Sequence, residues 1–201
     1  MRFLILILAL LTSVGAFAQQ SRMKRPSVVP ELNQFQIYPL ALEMRYEKDS
    51  AGNWLEQNPQ NLSFAYRATT WSVLFEYSTF SESSGNSTLN ISREHKEMLL
   101  WGRWHLWRHR ASKPLRMSVY GAGGVGTYTE DIKTTLSGIT QNDSTGSKMM
   151  GGLAAGADIS YDVFYGFGVI AAIEGRALMG QEFDPNPTFG GLMRGGFYYS
   201  W

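Results

Sequence analysis

Residues Phe189 to Trp201 read FGGLMRGGFYYSW, a segment that alternates strictly and ends on an aromatic residue. Successive side chains of a β-strand point to opposite faces. Alternate residues here form two sets, one with Met193, Gly195, Phe197, Tyr199 and Trp201, the other with Leu192, Arg194, Gly196, Tyr198 and Ser200. The first set is apolar and aromatic, whereas the second contains a cation. Such a strand can lie in lipid if its polar face lines a protein interior.

The stretch resembles the C-terminal strand of bacterial outer-membrane barrels, an alternating segment with a terminal aromatic residue, usually Phe and here Trp. The resemblance implies that Phe197, Tyr199 and Trp201 form the signal read by the outer-membrane barrel assembly machinery. It also implies a closed barrel surrounded by outer-membrane lipids and lipopolysaccharide.

The other end of the chain predicts export. Phe3 to Leu11 is an unbroken apolar run after a basic start, and Ala16 and Ala18 are small residues suited to a cleavage site. The run is too short for a bilayer helix, which needs ~20 apolar residues. We therefore expect three parts: a signal peptide at residues 1–18, cleaved after Ala18, a periplasmic lead-in at 19–34, and a barrel at 35–201.

The amino-acid composition further limits the class of protein. The chain has no Cys, which excludes disulfides, thiolate metal sites and Cys nucleophiles. Its formal net charge is +1 and no basic run suggests nucleic acid. Aromatic residues make up 13% and Gly numbers 21, which suits a membrane barrel in which only alternate residues touch lipid. Loop acids such as Glu130, Asp131 and Asp184 fall near the predicted outer rim, where divalent cations could bridge lipopolysaccharide phosphates. Solvated loops are the preferred interpretation, so no metal or other cofactor is expected.

Seven further alternating segments precede the last strand. They begin at Phe35, Leu62, Trp71, Met98, Leu115, Gly152 and Phe167. In the first, Tyr38, Leu40 and Leu42 are predicted to share the lipid-facing side. Four long polar connections alternate with three short ones; the long ones are Glu47 to Gln60, Ser81 to His95, Glu130 to Lys148 and Gly180 to Pro187.

Eight strands with alternating long and short connections are typical of bacterial barrels, which have even strand numbers, short periplasmic turns and longer extracellular loops. The predicted fold class is all-β, a closed eight-stranded antiparallel up-and-down transmembrane β-barrel. The chain resembles the small OmpA-like, OmpX-like and OmpW-like barrels of Gram-negative bacteria from about residue 34 onward.

The strand phase predicts a charged lumen. Nine residues fall on the face away from lipid: Glu43, Arg45, Arg67, Glu76, Arg103, Asp158, Glu174, Arg176 and Arg194. Eight strands enclose a space that side chains just fill, and buried charges are tolerable only when they pair. We expect a plugged lumen with a charge network, in which Glu43, Glu76 and Glu174 are candidate partners of Arg194.

Three competing interpretations need structural tests. A soluble lipocalin-type barrel would show the same alternation with the faces reversed. Gly121 to Gly126 matches the GxGxxG dinucleotide fingerprint, but no helix is predicted after it, so glycines packing beside bulky lumen residues are the preferred explanation. Ser92 to Glu97 holds Ser, His and acids, yet neighbouring loop residues do not ensure a hydrolase geometry.

We therefore expect a non-enzymatic outer-membrane protein, a monomer, that acts in envelope structure or surface interaction through its extracellular loops, chiefly Ser81 to His95 and Glu130 to Lys148. The alternatives are an OmpW-like conduit for small apolar molecules and a barrel enzyme that modifies lipid A.

Overall fold

The structure, a computed structural model, describes residues 33–48, 54–85, 89–112, 115–136, 138–180 and 186–201. The predicted signal peptide and most of the lead-in lie outside these residues. Ten strands are present: β1 (Gln34–Lys48), β2 (Trp54–Gln57), β3 (Gln60–Arg67), β4 (Trp71–Gly85), β5 (Leu89–Ser112), β6 (Leu115–Leu136), β7 (Ile139–Ser144), β8 (Lys148–Phe164), β9 (Phe167–Gly180) and β10 (Thr188–Ser200). None of the described residues forms a helix long and apolar enough to cross a bilayer.

The strands close into one antiparallel barrel. β2 and β3 both pair with β1, and β7 and β8 both pair with β6, so each of these two sets counts as one barrel strand. Eight barrel strands result, in the order β1, β3, β4, β5, β6, β8, β9 and β10. Pairing of β10 with β1, from Gln34 with Ser200 to Tyr46 with Phe189, closes the ring.

The barrel wall is apolar outside and polar inside. Leu40, Leu106 and Leu153 point outward with 71%, 73% and 61% of their surface exposed, whereas Glu76 is fully buried in the lumen. This is the reverse of a lipocalin, so the soluble interpretation is wrong. An exterior of this kind requires hydrocarbon around it, and the predicted fold class, a closed eight-stranded transmembrane barrel, is confirmed.

Exposed aromatic residues limit the apolar band at both ends. On β10, the outward-facing Phe189 and Tyr199 are separated by ten residue steps. At ~3.4 Å per residue and a tilt of ~40°, this separation spans ~26 Å along the membrane normal, close to the ~25 Å band of outer-membrane barrels. The girdle nearer the termini also includes Phe35, Tyr66, Trp71, Trp104, Trp107, Phe167 and Trp201.

Two of the predicted long loops are largely strand. β4 and β5 stay paired as far as Gly85 and Asn90, and β6 and β7 stay paired from Asp131 and Ser144 to Leu136 and Ile139. In the second segment, β-branched residues such as Ile132, Thr134 and Thr140 favour extended structure. The prediction that Ser81 to His95 and Glu130 to Lys148 are loops is therefore wrong for most of their described residues, which are strand.

The predicted phase of the first strand is wrong for Tyr38, which lies in the lumen with 1% of its surface exposed. Between the pairs Ile37–Phe197 and Leu40–Gly195, β1 has one residue more than β10. The extra residue makes a β-bulge, which moves the side chains that follow to the other face. Pro39 lies in this bulge, where its missing N–H does least harm to the ladder.

Trp101 is fully buried at the centre of the apolar part of the lumen. A Cβ atom at Gly124 would lie 2.6 Å from the Trp101 ring, and one at Gly152 would lie 2.7 Å from it. Gly121 to Gly126 lies inside β6 with no helix after it. The dinucleotide interpretation is therefore wrong, and part of the glycine run makes room for an aromatic lumen residue.

Candidate functional site

The centre of the lumen contains four linked charges from β4, β9 and β10. Arg176 donates from Nη1 and Nη2 to the two carboxylate oxygens of Glu76 at 2.8 and 3.0 Å. It also donates to Glu174 Oε1 at 2.8 Å. Arg194 binds Glu76 and lies 3.6 Å from Glu174 Oε1. Of the three expected partners of Arg194, the structure thus brings two to it.

A second group lies on β1 and β5. Arg45 donates from Nε to Glu43 Oε1 at 2.8 Å and from Nη2 to Glu97 Oε2 at 2.6 Å. Glu43 also accepts from Arg176 Nη1 at 2.9 Å, which joins this group to the central one. His95 lies 3.0 Å from Glu97 through its Nε2 atom, at the end of the lumen away from the termini.

A separate group lies toward the chain termini. Arg67 donates to Asp158 Oδ1 at 2.8 Å, and Ser118 donates to Asp158 Oδ2 at 2.6 Å. His105 lies 3.1 Å from Ser72 Oγ and 3.1 Å from Ser118 Oγ. All five side chains are buried, so this Ser–His–Asp arrangement forms part of the packed interior.

Aromatic residues support the arginines. The Arg176 guanidinium lies 5.2 Å from the Trp101 ring centroid, and that of Arg103 lies 4.7 Å from the Tyr120 ring. Arg103 also donates to Glu174 at 3.0 Å, as Tyr120 does at 2.9 Å. Such contacts with aromatic faces lower the cost of burying a cation.

The structure places all nine predicted lumen charges in the interior and adds Glu97, which the sequence reasoning missed. With Glu97 included, the buried charges of the described residues are five arginines and five acids, Arg45, Arg67, Arg103, Arg176, Arg194, Glu43, Glu76, Glu97, Asp158 and Glu174. The lumen is formally neutral, as burial of so many ions requires. Extending the alternation of Arg103 and Trp101 back along β5 would have found Glu97.

On the side away from the termini, the outward-facing side chains of four strands become polar along one oblique cross-strand row. We call it the outer polar row: Gln60, Thr79, Lys96 and Thr129, each paired with the next. Beyond it, four strands continue as a protruding sheet made of residues 80–85 of β4, 89–95 of β5, 130–136 of β6 and all of β7. Two of the predicted loops therefore form one structured surface.

Side-chain bonds connect the base of this sheet. Lys96 donates from Nζ to Asp131 Oδ2 at 3.3 Å. A hydrogen bond from Ser144 and another from Lys96 hold the pKa of the Asp131 carboxyl below its usual value of 3.8. Asp131 and Ser144 are also the first paired residues of the β6–β7 hairpin, so these bonds lie where the hairpin leaves the membrane.

The Ser92 to Glu97 cluster does not form a hydrolase arrangement. Ser92 and His95 are three residues apart on β5, and strand residues an odd number of positions apart face opposite sides. His95 stacks between Phe80 and Tyr128, with ring centroids 4.7 and 5.3 Å away. Its Nε2 atom lies within hydrogen-bond distance of Glu97. No group of three or more potential metal-ligating side chains occurs among the described residues.

The proposed assembly residues lie at the closure of the barrel. Phe197, Tyr199 and Trp201 face outward, with 56%, 42% and 63% of their surface exposed. The Trp201 ring stacks with Tyr199 at 6.0 Å, and its backbone N–H donates to Asn33 O at 3.2 Å. The last residue is thus tied to the start of the first strand.

No family model matches the chain, and no curated protein does so. Among solved structures, the chain is similar to Ail, the attachment invasion locus protein of Yersinia pestis, with 16% identity, a TM-score of 0.47, and coverage of 87% of this chain and 100% of Ail. It is similar to Neisserial surface protein A with 13% identity, a TM-score of 0.47, and coverage of 85% and 97%. For AlkL the identity is 12%, the TM-score 0.40, and the coverage 90% and 97%.

At such identities and TM-scores the likeness carries no argument about this chain's ligands or activity.

Proposed function

We propose that the chain is a bacterial outer-membrane protein that acts in surface interaction, without an enzymatic role. Its barrel is a non-conducting scaffold, and its protruding sheet is the binding surface. The observation that carries the proposal is the continuous pairing of β4, β5, β6 and β7 beyond the outer polar row. A rigid scaffold that positions exposed segments is a common basis for recognition.

The lumen supports the non-conducting role. Ion pairs such as Arg176–Glu76 cross it, and Trp101 fills the space beside them. An eight-stranded barrel leaves no more room than its own side chains occupy. A conduit for small apolar molecules has less support, because a charge network lies across the axis that such a molecule would follow.

The open edge of β7 supports a protein partner. Within the described pairings, Ile139 to Ser144 is bonded to β6 alone. Such an edge offers main-chain N–H and C=O groups to an added strand. We propose that the partner is a protein that contributes an extended segment along this edge.

Excision of the hairpin tests the proposal. A variant lacking residues 131–144, with Asn-Gly inserted between Glu130 and Thr145, preserves the closing bond from Thr145 N to Glu130 O at 3.0 Å. Cells that lack the gene would be supplied with this variant, with the wild type, or with the control Gly123→Ala, a change in the barrel wall where the added Cβ meets nothing within 4 Å and the hairpin is left intact. Equal surface levels and boiling-dependent migration in detergent gels would show equal folding.

We expect the wild type and the control to restore adherence to protein-coated surfaces, and the excised variant to fail. Full restoration by the excised variant would contradict the surface role of the hairpin. A large, stable conductance of the purified wild type in planar bilayers would contradict the non-conducting scaffold.

A further inference from the structure

The barrel wall has a break in its strand pairing between β1 and its neighbours β2 and β3. β1 pairs with β3 from Gln34 to Tyr38 and with β2 from Arg45 to Lys48. Residues 39–44 have no partner on this side among the described pairings, and neither have residues 58–62 opposite them. Pro39 lies at the start of the break, where it removes one donor from the ladder.

A groove of about 720 Å³ lies at the break. Such a volume is in the range of small-molecule sites, ~300–1,000 Å³. Side chains of the lipid-facing phase line it, among them Leu40, Leu42, Leu62 and Met193. At Gly195 the wall has no side chain, which widens the groove toward β10. The groove therefore opens on hydrocarbon rather than on water.

The two ends of the groove differ in polarity. Gln60 and Thr79 line the end nearer the protruding sheet and belong to the outer polar row. Leu40 and Gly195 line the other end, and they pair with each other about halfway between the girdle residues of β1 and β10. A molecule lying in the groove would meet polar groups toward the protruding sheet and apolar groups toward the middle of the bilayer.

The groove has a closed floor. Asn61 donates from Nδ2 to Ser78 Oγ at 2.9 Å and lies 3.4 Å from Glu43 Oε2. Ser63 donates to Asn61 Oδ1 at 2.7 Å. These buried bonds join β3, β4 and β1 beneath the break.

We propose that this groove binds one acyl chain of a membrane lipid from the leaflet nearer the protruding sheet. The hydrocarbon lies along Leu40, Leu42 and Leu62. The carbonyl oxygen that links the chain to its headgroup accepts hydrogen bonds from Gln60 and Thr79. A lipid is the occupant because the groove lies in the lipid-facing band and its polar end lies on the side of the protruding sheet. The site is independent of the surface interaction proposed above.

Photo-labelling in bilayers tests the site. The probe is a phosphatidylethanolamine with a diazirine on one acyl chain, and mass spectrometry maps the labelled residues. We expect label to be enriched at Leu40 and Leu62 over Leu100 and Leu153, which face lipid elsewhere with 51% and 61% of their surface exposed. Equal labelling at all four leucines would overturn the proposal.

Two glycines of β10 provide a matched pair of variants. A Cβ at Gly195 would lie 3.8 Å from Leu40 Cβ, an ordinary contact, whereas a Cβ at Gly191 would meet nothing within 4 Å. We expect Gly195→Leu to fill the groove and lower labelling of Leu62 by roughly tenfold, as loss of one or two buried methylene contacts would do. Gly191→Leu should leave the labelling unchanged.

Further variants keep the proposal falsifiable. If Gly195→Leu does not migrate as a folded barrel, Leu40→Trp fills the same space and carries the same expectation. The double variant Gln60→Leu, Thr79→Val should lower labelling as well. Unchanged labelling of Leu62 in the filling variants would overturn the groove site. Unchanged labelling in the double variant would overturn the placement of the carbonyl oxygen at Gln60 and Thr79.

Discussion

Arg176 on β9 and Glu76 on β4 form a two-point ion pair at 2.8 and 3.0 Å between opposite walls of the barrel. In the ring of eight barrel strands, β4 and β9 lie four positions apart, which is the full diameter. Each partner is also bonded to other charges, since Arg176 binds Glu43 and Glu174, and Arg194 binds Glu76. These ion pairs therefore connect opposite walls of the barrel through the lumen.

Removing one member of this ion-pair network should destabilise the barrel. Glu76→Ala leaves Arg176 and Arg194 without their main acceptor, and breaking a buried pair costs ~3–5 kcal/mol. We expect that loss in the free energy of unfolding, measured by urea titration in phospholipid bilayers. Glu94→Ala, at an exposed site of the protruding sheet, is the control and should change the unfolding free energy by less than ~1 kcal/mol.

A double variant distinguishes pairing from packing. Glu76→Leu with Arg176→Met removes both charges of the pair, and we expect it to cost clearly less than the sum of the two single changes. If the changes in the free energy of unfolding are strictly additive, the two side chains act independently, which would contradict a direct interaction between them.

Because Trp101 is closely packed, replacing two neighbouring glycines by Ala should change the stability of the barrel by different amounts. Gly124→Ala places a Cβ 2.6 Å from the Trp101 ring and should cost ~1–3 kcal/mol through overpacking. Gly123→Ala meets nothing within 4 Å and should be near neutral. The same urea titration compares them, and equal effects would contradict the buried position of Trp101.

The terminal aromatic residue should matter for assembly. Trp201→Asp places a charge where the ring now stacks with Tyr199 on the lipid-facing side. We expect a severalfold lower amount of folded protein in the outer membrane, measured by boiling-dependent migration of membrane fractions, while Trp201→Phe stays near the wild type. Normal levels of the Asp variant would rule out an assembly role for this residue.

The protruding sheet should weaken in acid. Hydrogen bonds from Ser144 and Lys96 lower the pKa of the Asp131 carboxyl below 3.8. A group with a depressed folded pKa stabilises the fold above its unfolded pKa and loses that effect as the pH falls through the folded value. An NMR titration should give an Asp131 midpoint below 3.8, raised by either Ser144→Ala or Lys96→Met. A midpoint that neither variant moves would contradict these bonds.

Much of this architecture can be predicted from alternation alone. Arg103, Glu174 and Arg194 lie on the strand faces opposite the apolar residues, so they can only face the lumen. Small or aromatic residues share those lumen-facing positions and leave room for the charged side chains. The closing strand is the clearest case, since its two residue sets face lipid and lumen as predicted.

The remaining features depend on irregularities that alternation does not reveal. Tyr38 enters the lumen because the bulge at Pro39 shifts the phase of β1, and Trp107 leaves it after a similar irregularity beyond His105. Glu97 continues the alternation of Arg103 and Trp101, and it is missed because the predicted strand begins at Met98. The groove beside Pro39 arises from pairing between strands, which no single segment specifies.

The central claim is that the faces of this barrel are apolar toward lipid and charged toward the lumen, and spin-label accessibility along Phe189 to Trp201 tests it most directly. Because the chain has no Cys, single Cys substitutions place one label at each position. We predict a period of two: high oxygen accessibility at Met193 and Phe197, and low accessibility to both oxygen and a polar nickel reagent at Leu192 and Tyr198. The reverse pattern, or none, would contradict the account.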